Sequence, residues 1–504
     1  MNIDFKNENI LQLIDNFVNN DEYNHETTKY LLLFINETSK EDFKGILSQL
    51  THFKSESKLL GNISTKELIK LWKELIIDAI NFLRINDARE RSFMNGRQKS
   101  TVNDAADARK LNAYGVEELH SYFEEFTNFE SVLYGSDEYY RDHVQHPLFV
   151  WLMGVHVLNE CVESCTFRVA NMAKTSIGES AKLDYYKSPD EAPEDENIII
   201  SSAEIGAMWT IIALTHDLGY PLQKVDQINF QLQKMLEKFG RVNFKPSEFS
   251  IGHQHSYLVK HLLTLISSSL ERTDCDATRK FRTYIRSKYF TKFSKSWEMF
   301  EHGMISSLIL LRSLTYFLET DSTIDGGKGL EFEDGRQFTI RAEMLHAIAA
   351  HTTPKVYHIL GNNLAFILML CDDLHEWERP TMSDIMSYKQ SGANSVILEK
   401  LIIDESKGDI ECKLNFPPSK LDIQHKNSMR VFKMWHERLR PAVDDKHRDM
   451  SFKWEIKYED TDFPWIFKFN SSKPVFKEVE VTGPDLKDGK SKEKYDLYET
   501  KEAI

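Results

Sequence analysis

The strongest constraint in this sequence is an apolar run from Ile205 to Leu214 that leads directly into a histidine–aspartate pair, His216-Asp217. The run is too hydrophobic for a surface helix and much shorter than the roughly 20 residues of a membrane span, so it predicts a buried helix. Gly219 and Pro221 follow and break the helix, which places the pair at a helix end where a cavity can form. An imidazole and a carboxylate there could bind one cation. An aspartate that only caps or orients its neighbour is the simpler alternative.

Two further histidines are predicted to open buried helices. His146, Val150 and Gly154 recur at i, i+4 and i+8, which places His146 on the buried face of a helix, in its first turn. His302 likewise opens an apolar helix, and the small Gly303 after it would let another backbone come close. A lone histidine in such a position is more often a satisfied core residue than a ligand.

One histidine and one aspartate are predicted at the C-terminal ends of two further core helices. Met344, Ile348 and His351 share one helix face, so His351 points inward at a helix end. Leu368 and Asp372 share the face of another apolar helix. A buried carboxylate is costly without a partner, and a metal ion is one such partner.

Together these positions form a set of mixed imidazole and carboxylate ligands at predicted helix ends. Such ligands suit Mn²⁺, Fe²⁺, Ni²⁺, Zn²⁺ or Mg²⁺, with one or two ions per chain. The candidate metal ligands are His146, His216, Asp217, His302, His351 and Asp372.

The order H…HD…H…H…D, with its first histidine in an H-x3-V-x3-G helix, resembles the HD-domain metal-dependent phosphohydrolase superfamily. Members include deoxynucleotide triphosphohydrolases, cyclic-nucleotide phosphodiesterases, 5′-nucleotidases and the nuclease domains of some CRISPR effectors. The motifs cover roughly residues 139 to 390 and are specific for the superfamily but not for a substrate. The resemblance implies an HD-type all-helical core. It also implies that the first metal is bound by His146, His216, Asp217 and Asp372. The second metal would be bound by His302 and His351.

Two histidines outside the ligand set are candidates for the proton donor. His255 lies where the triphosphohydrolase branch has a catalytic histidine, although the glutamate expected beside it is Ser256. His143 stands three residues before His146, near the position of a general-acid histidine in the cyclic-nucleotide phosphodiesterases. The branch of the superfamily therefore stays open.

The resemblance implies metal-assisted hydrolysis of a nucleotide, with a (deoxy)nucleoside triphosphate as the expected substrate. The alternatives are a cyclic mono- or dinucleotide phosphodiesterase and a nucleotide-sensing protein without turnover. Lys224 and Arg379 are candidates to neutralise phosphate charge. Lys224 is a candidate catalytic residue and Arg379 a candidate substrate-binding residue. The alternative for each is an ordinary solvent-exposed side chain without a role in the site.

The predicted fold class is mainly α, with four regions. Residues 1–95 form an N-terminal helical region and 96–392 the HD phosphohydrolase domain. Residues 393–472 form a small α+β domain with the order β-β-α-β-β, because two strand patterns flank a helix from about Ser428 to Leu439 and two alternating segments follow. Residues 473–504 are rich in lysine and glutamate and are predicted to be a disordered tail.

Composition limits the partners. The net charge of −15 argues against duplex nucleic acid, which requires a basic surface. No apolar run reaches membrane length and no leader pattern is present, so a cytoplasmic protein without membrane contact is expected. A small-molecule nucleotide is the expected substrate; a regulatory nucleotide and a homo-oligomer are left open.

Overall fold

The computed structural model describes the helices and strands given below together with the short connections between some of them. The described positions, all within 2–494, are 2–4, 31–32, 34–35, 39, 44, 65–85, 113–136, 142–164, 175–177, 198–240, 245–246, 253–275, 278–320, 329–330, 332–353, 359–360, 363–375, 397–404, 409–416, 418, 420–439, 442–443, 450–461, 464–470, 480–482 and 493–494.

Helices make up most of the described part of the chain, which confirms the prediction of a mainly α protein with a small sheet region. In chain order they are α1 (Thr65–Ile85), α2 (Val116–Ser136), α3 (His146–Ser164), α4 (Ser202–Thr215), α5 (Tyr220–Gln223), α6 (Val225–Glu237), α7 (His253–Ser267), α8 (Ser287–Glu298), α9 (His302–Ser313), α10 (Thr315–Leu318), α11 (Phe332–His351), α12 (Leu364–His375) and α13 (Leu421–Leu439).

The central helix of the core is α4, which is buried along its whole length, as its apolar sequence predicts. It begins with a capping box in which the Ser201 side chain accepts from the Glu204 amide and the Glu204 carboxylate accepts from the Ser201 amide. Helices α1, α3 and α11 pack around it. Gly154 on α3 lets α3 approach α4 closely, because a Cβ atom there would overlap the indole ring of Trp209.

The strands lie mainly in the last quarter of the chain. In chain order they are β1 (Asn2–Asp4), β2 (Thr175–Ile177), β3 (Ile198–Ile200), β4 (Ser268–Cys275), β5 (Thr278–Ile285), β6 (Ile359–Leu360), β7 (Ile397–Asp404), β8 (Asp409–Phe416), β9 (Ala442–Val443), β10 (Ser451–Tyr458), β11 (Trp465–Asn470), β12 (Glu480–Thr482) and β13 (Glu493–Lys494).

The largest sheet has the order β1-β7-β8-β10-β11-β12-β13. Strands β8 and β10 run parallel, with Asp409 opposite Ser451, and the connection between them contains α13. The other neighbours are antiparallel. Alternate residues of β10, from Phe452 to Tyr458, are buried, so one face of the sheet packs on the core and α13 packs there.

The elements β7, β8, α13, β10 and β11 occur in the predicted β-β-α-β-β order. The structure adds β1, from the start of the chain, to the same sheet: Asn2 pairs with Ile402. In the predicted disordered tail, β12 and β13 are strands, and the rest of 473–504 lies outside the described residues. Residues 86–112 and the acidic segment 187–197 also lie outside them. The predicted domain boundaries stay predictions.

Two local segments differ in part from what their sequences predict. The glycines within 319–338 predict a hairpin or flap; Asp334-Gly335 lies in α11 instead, whereas residues 321–328, with the other glycine pair, lie outside the described residues. Gly335 is used for packing instead of for a turn, since a Cβ atom there would lie 2.9 Å from the Phe281 ring. The span 268–285, within a region of mostly helical pattern, forms the hairpin of β4 and β5.

Among the described residues, no helix is both long enough and apolar enough to cross a membrane.

Candidate metal centre

Five helix ends converge on one cluster of histidine and aspartate side chains. His146 is the first residue of α3 and His302 the first of α9, while His351 is the last of α11. His216 and Asp217 follow the last residue of α4, and Asp372 lies in the final turn and a half of α12. The structure thus brings together all six side chains that the sequence predicts as metal ligands.

Asp217 lies at the centre of the cluster, and its two carboxylate oxygens face different histidines. Its Oδ2 atom is 3.3 Å from Nε2 of His216 and 3.6 Å from Nε2 of His146. Its Oδ1 atom is 3.2 Å from Nε2 of His302 and 3.9 Å from Nε2 of His351. Each oxygen of this carboxylate therefore faces a different pair of imidazole nitrogens.

Asp372 approaches the cluster from the side of His146 and His216. Its Oδ1 atom is 3.0 Å from Nε2 of His146 and 3.8 Å from Nε2 of His216. Its other oxygen, Oδ2, accepts a hydrogen bond of 2.7 Å from the guanidinium of Arg438 on α13. Only one oxygen of Asp372 thus faces the histidines.

The orientation of three of the rings is fixed by a hydrogen bond from Nδ1. When Nδ1 carries the proton and donates it to an oxygen, the lone pair of Nε2 is left for a metal ion. Nδ1 of His216 is 2.8 Å from the Ala213 carbonyl oxygen, and Nδ1 of His351 is 2.5 Å from the Ile348 carbonyl oxygen. Nδ1 of His302 is 2.6 Å from Oε1 of Gln223.

The cluster fits a divalent ion on the evidence of its buried nitrogens. The Nε2 atoms of His216 and His351 are buried and make no hydrogen bond of acceptable geometry within the protein. Buried polar atoms normally have a partner, and a cation would supply one here. The ligand atoms of His146, His216 and Asp372 lie within 4.8 Å of one another, as do those of His216, Asp217 and His351. These groups could hold a metal ion.

Electrostatics also favours a cation. Burial alone would raise the pKa of Asp217, but His216, with His302 and His351 beside it, holds that pKa well below its ordinary value. Burial alone would lower the pKa of His216, but Asp217 and then Asp372 outweigh it and raise the pKa to about 10. For His351 burial dominates and lowers the pKa to about 4. The cluster thus combines an ionised carboxylate with buried imidazoles, for which a metal ion and a proton compete.

The turn that carries the histidine–aspartate pair is held by three other helices. The indole of Trp72 on α1 donates to the Leu214 carbonyl, and the hydroxyl of Tyr122 on α2 donates to the Leu218 carbonyl. The Gly219 amide donates to Oγ of Ser306 on α9, at 2.8 Å. Burial raises the pKa of Tyr122, so its hydroxyl remains a donor.

His143 and Tyr220 form one rim of the cluster. Their rings stack with centroids 3.8 Å apart, and the Tyr220 ring also lies 5.4 Å from that of His302. The Nζ atom of Lys224 is 5.2 Å from the centre of the Tyr220 ring. His302, which contacts this rim, is 16% exposed, in contrast to the fully buried His146.

The other two predicted site residues are not placed in the cluster. His255 is half-buried in the first turn of α7, and among the described residues it makes no hydrogen bond, ion pair or ring contact with the cluster. Arg379 lies outside the described residues. The roles of both stay predictions.

Several residues that contact the site were missed by sequence reasoning, among them the following four. Gln223 and Arg438 orient candidate ligands, and Trp72 hydrogen-bonds the last turn of α4, just before the histidine–aspartate pair. Nothing in the local sequence marks these three. Asp142 accepts from the backbone amides of Gln145 and His146, where α3 begins, and its position just before an apolar helix is a recognisable N-cap signal.

No family model, curated protein or solved structure matches this chain.

Proposed function

We propose that this chain is a divalent-metal-dependent phosphohydrolase with an HD-type helical core, and that it acts on nucleotides. The observation that carries the proposal is the placement of Asp217, whose two oxygens face two separate groups of histidine nitrogens. A carboxylate in that position is suited to bridge two cations. The order of the motifs along the chain, which resembles that of the HD superfamily, supports the same conclusion.

Two metal-binding positions are proposed. The first would be held by Oδ2 of Asp217 with His146, His216 and Asp372, and the second by Oδ1 of Asp217 with His302 and His351. Imidazole with carboxylate suits Mn²⁺, Fe²⁺, Ni²⁺, Zn²⁺ or Mg²⁺. When bound, such ions lower the pKa of a water molecule and polarise a phosphoryl oxygen.

The chain's own residues would prepare the site for hydrolysis. The Nδ1 hydrogen bonds of His216, His302 and His351 keep Nε2 directed at the cluster, so little reorganisation is needed on binding. The apolar helices behind the cluster exclude water, which strengthens its electrostatic interactions.

The rim would bind the substrate and move a proton. Lys224 would offset negative charge on a phosphate group, which matters for an anionic ligand that approaches a chain of net charge −15. His143, next to the cluster but not among the six ligands, would protonate the leaving oxygen, since an imidazole titrates near neutral pH.

The proposed substrate is a (deoxy)nucleoside triphosphate, with a cyclic nucleotide as the second candidate. The position of His143 favours the second, because the cyclic-nucleotide phosphodiesterases have their general-acid histidine near this position. His255, the residue that the triphosphohydrolase branch would use, makes no contact with the cluster among the described residues.

The test is product analysis with Mn²⁺ over a panel of dNTPs, NTPs and cyclic mono- and dinucleotides. Nucleoside plus triphosphate would identify a triphosphohydrolase, and a linear nucleotide a phosphodiesterase. Asp217→Asn, which keeps the side-chain shape but removes the charge, should lose turnover and metal, while Asp226→Asn, at an exposed position on α6, should behave as wild type. Full activity of Asp217→Asn would reject the proposal, and wild-type protein that binds metal without turning over any substrate would indicate a sensor.

A further inference from the structure

Arg438 connects the C-terminal sheet region to the candidate metal centre. It lies near the end of α13, and its guanidinium reaches two consecutive carboxylates on α12. One amino group is 2.7 Å from Oδ2 of Asp372, and its Nε atom is 3.2 Å from Oδ1 of Asp373. A single side chain therefore bridges the two aspartates, one of which is a candidate metal ligand.

The position of Arg438 is set by the packing of α13 on the sheet. Trp435 of α13 packs edge-on against Trp454 of β10 with ring centroids 4.1 Å apart. Phe432 stacks on Phe467 of β11 with centroids 5.0 Å apart. These rings are buried, so the sheet determines where the guanidinium lies relative to α12.

The contact fixes which oxygen of Asp372 is presented to the histidines. An aspartate χ2 angle is broadly distributed when nothing restrains it. Here Arg438 occupies Oδ2, and Oδ1 lies 3.0 Å from Nε2 of His146. A guanidinium suits this role because its donors point in fixed directions, whereas an ammonium is a point charge.

We propose that Arg438 is a positioning residue that makes metal affinity depend on the docking of α13 and its sheet against α12. The inference rests on the proposed function, since it assumes that Asp372 binds a metal ion. Linkage requires the converse too: an ion bound at Asp372 strengthens the docking of α13. Arg438 has two opposite effects on metal affinity. Loss of its positioning of Asp372 would lower the affinity, whereas loss of its positive charge, which repels a nearby cation, would raise it. The affinity measured after substitution shows which effect is larger.

The experiment is a Mn²⁺ titration of metal-free, full-length protein, followed by calorimetry, with wild type, Arg438→Met and the matched control Arg430→Met. Arg430 lies on the same helix but is exposed. Arg438→Met should weaken binding by about 10- to 100-fold, the size usual for loss of a residue that orients a metal ligand, and Arg430→Met should bind as wild type. Arg438→Lys keeps the charge but loses the contact of one guanidinium with both aspartates, so its Mn²⁺ binding should be weaker as well. This variant replaces Arg438→Met in the test if the methionine variant does not fold.

Hydrogen exchange gives a second readout. In wild type, Mn²⁺ should slow amide exchange in α13, and in Arg438→Met this protection should be lost. Unchanged or tighter Mn²⁺ binding by both Arg438 variants, with wild-type protection of α13, would overturn the inference and leave the proposed function intact. Failure of wild-type protein to bind Mn²⁺ would reject both.

Discussion

The indole nitrogen of Trp72 lies 2.7 Å from the carbonyl oxygen of Leu214 and donates a hydrogen bond to it. The last carbonyl groups of a helix have no intrahelical partner, and Leu214 is in the last turn of α4, two residues before His216. The Trp72 ring also stacks on that of Phe123 on α2, with centroids 4.4 Å apart. Helix α1 thus supports the turn that carries the histidine–aspartate pair although it provides no candidate ligand.

Replacing Trp72 by Phe should destabilise the protein and weaken metal binding. Phenylalanine keeps an aromatic ring against Phe123 but leaves the buried Leu214 carbonyl without its donor, which costs about 1–3 kcal/mol. Urea unfolding measures the change. Trp297→Phe is the control, since Trp297 is only half-buried and lies on α8, outside the site. A loss no larger than that of the control would show that the hydrogen bond does not support the turn.

Wild-type protein should bind two equivalents of metal, and His302→Ala or His351→Ala should bind one. The reason is that these two histidines face Oδ1 of Asp217, while the other ligands face its Oδ2 atom or Asp372. Elemental analysis of purified protein gives the count. One equivalent in a fully active wild-type preparation would assign His302 and His351 to substrate binding or catalysis instead.

His143→Ala should lower kcat by about 10² with metal content retained, the usual effect of removing a general acid. His143 stacks on Tyr220 at the rim of the cluster and is not among the six ligands. His255→Ala is the paired variant: a comparable loss there would favour the triphosphohydrolase branch. If both variants keep wild-type kcat, neither histidine donates the proton.

Gly219→Ala should destabilise the protein and lower its metal affinity. A Cβ atom at this position would lie 2.3 Å from the His302 carbonyl oxygen and 2.7 Å from Cβ of Ile305, so α9 would have to shift. The backbone of Gly219 has φ −80°, which any residue adopts, so the steric contact is the only penalty; overpacking of this kind costs about 1–3 kcal/mol. Calorimetric unfolding and Mn²⁺ titration measure the two effects. Wild-type values in both would mean that α9 moves away without loss.

The six candidate ligands could be predicted because each lies at the beginning or at the end of an apolar helical pattern. A histidine or aspartate on the buried face of such a helix needs a partner, and five helices of this kind in one chain bring their ends together. The strands β10 and β11 were also predictable, since alternation of apolar and polar residues, as in β10, has no other ready explanation. Both signals are local.

The features that could not be predicted depend on residues distant in sequence. Arg438 is separated from Asp372 by 66 positions and resembles any other charged residue of an exposed helix. Gln223 is one polar residue among several in its segment. The hairpin of β4 and β5 carries many charged residues and no Asn-Gly or Asp-Gly turn. Gly335 has the residue type of a turn, but it is a glycine because the nearby Phe281 ring leaves no room for a Cβ atom.

The pairing of β1 with β7 has a consequence for how the protein is made. Asn2 emerges from the ribosome long before its partner Ile402, which is synthesised only after all of the helices that carry the candidate ligands. The helical core can therefore assemble while this edge of the sheet is still incomplete. The strand β1 must therefore remain available for pairing until β7 has been synthesised.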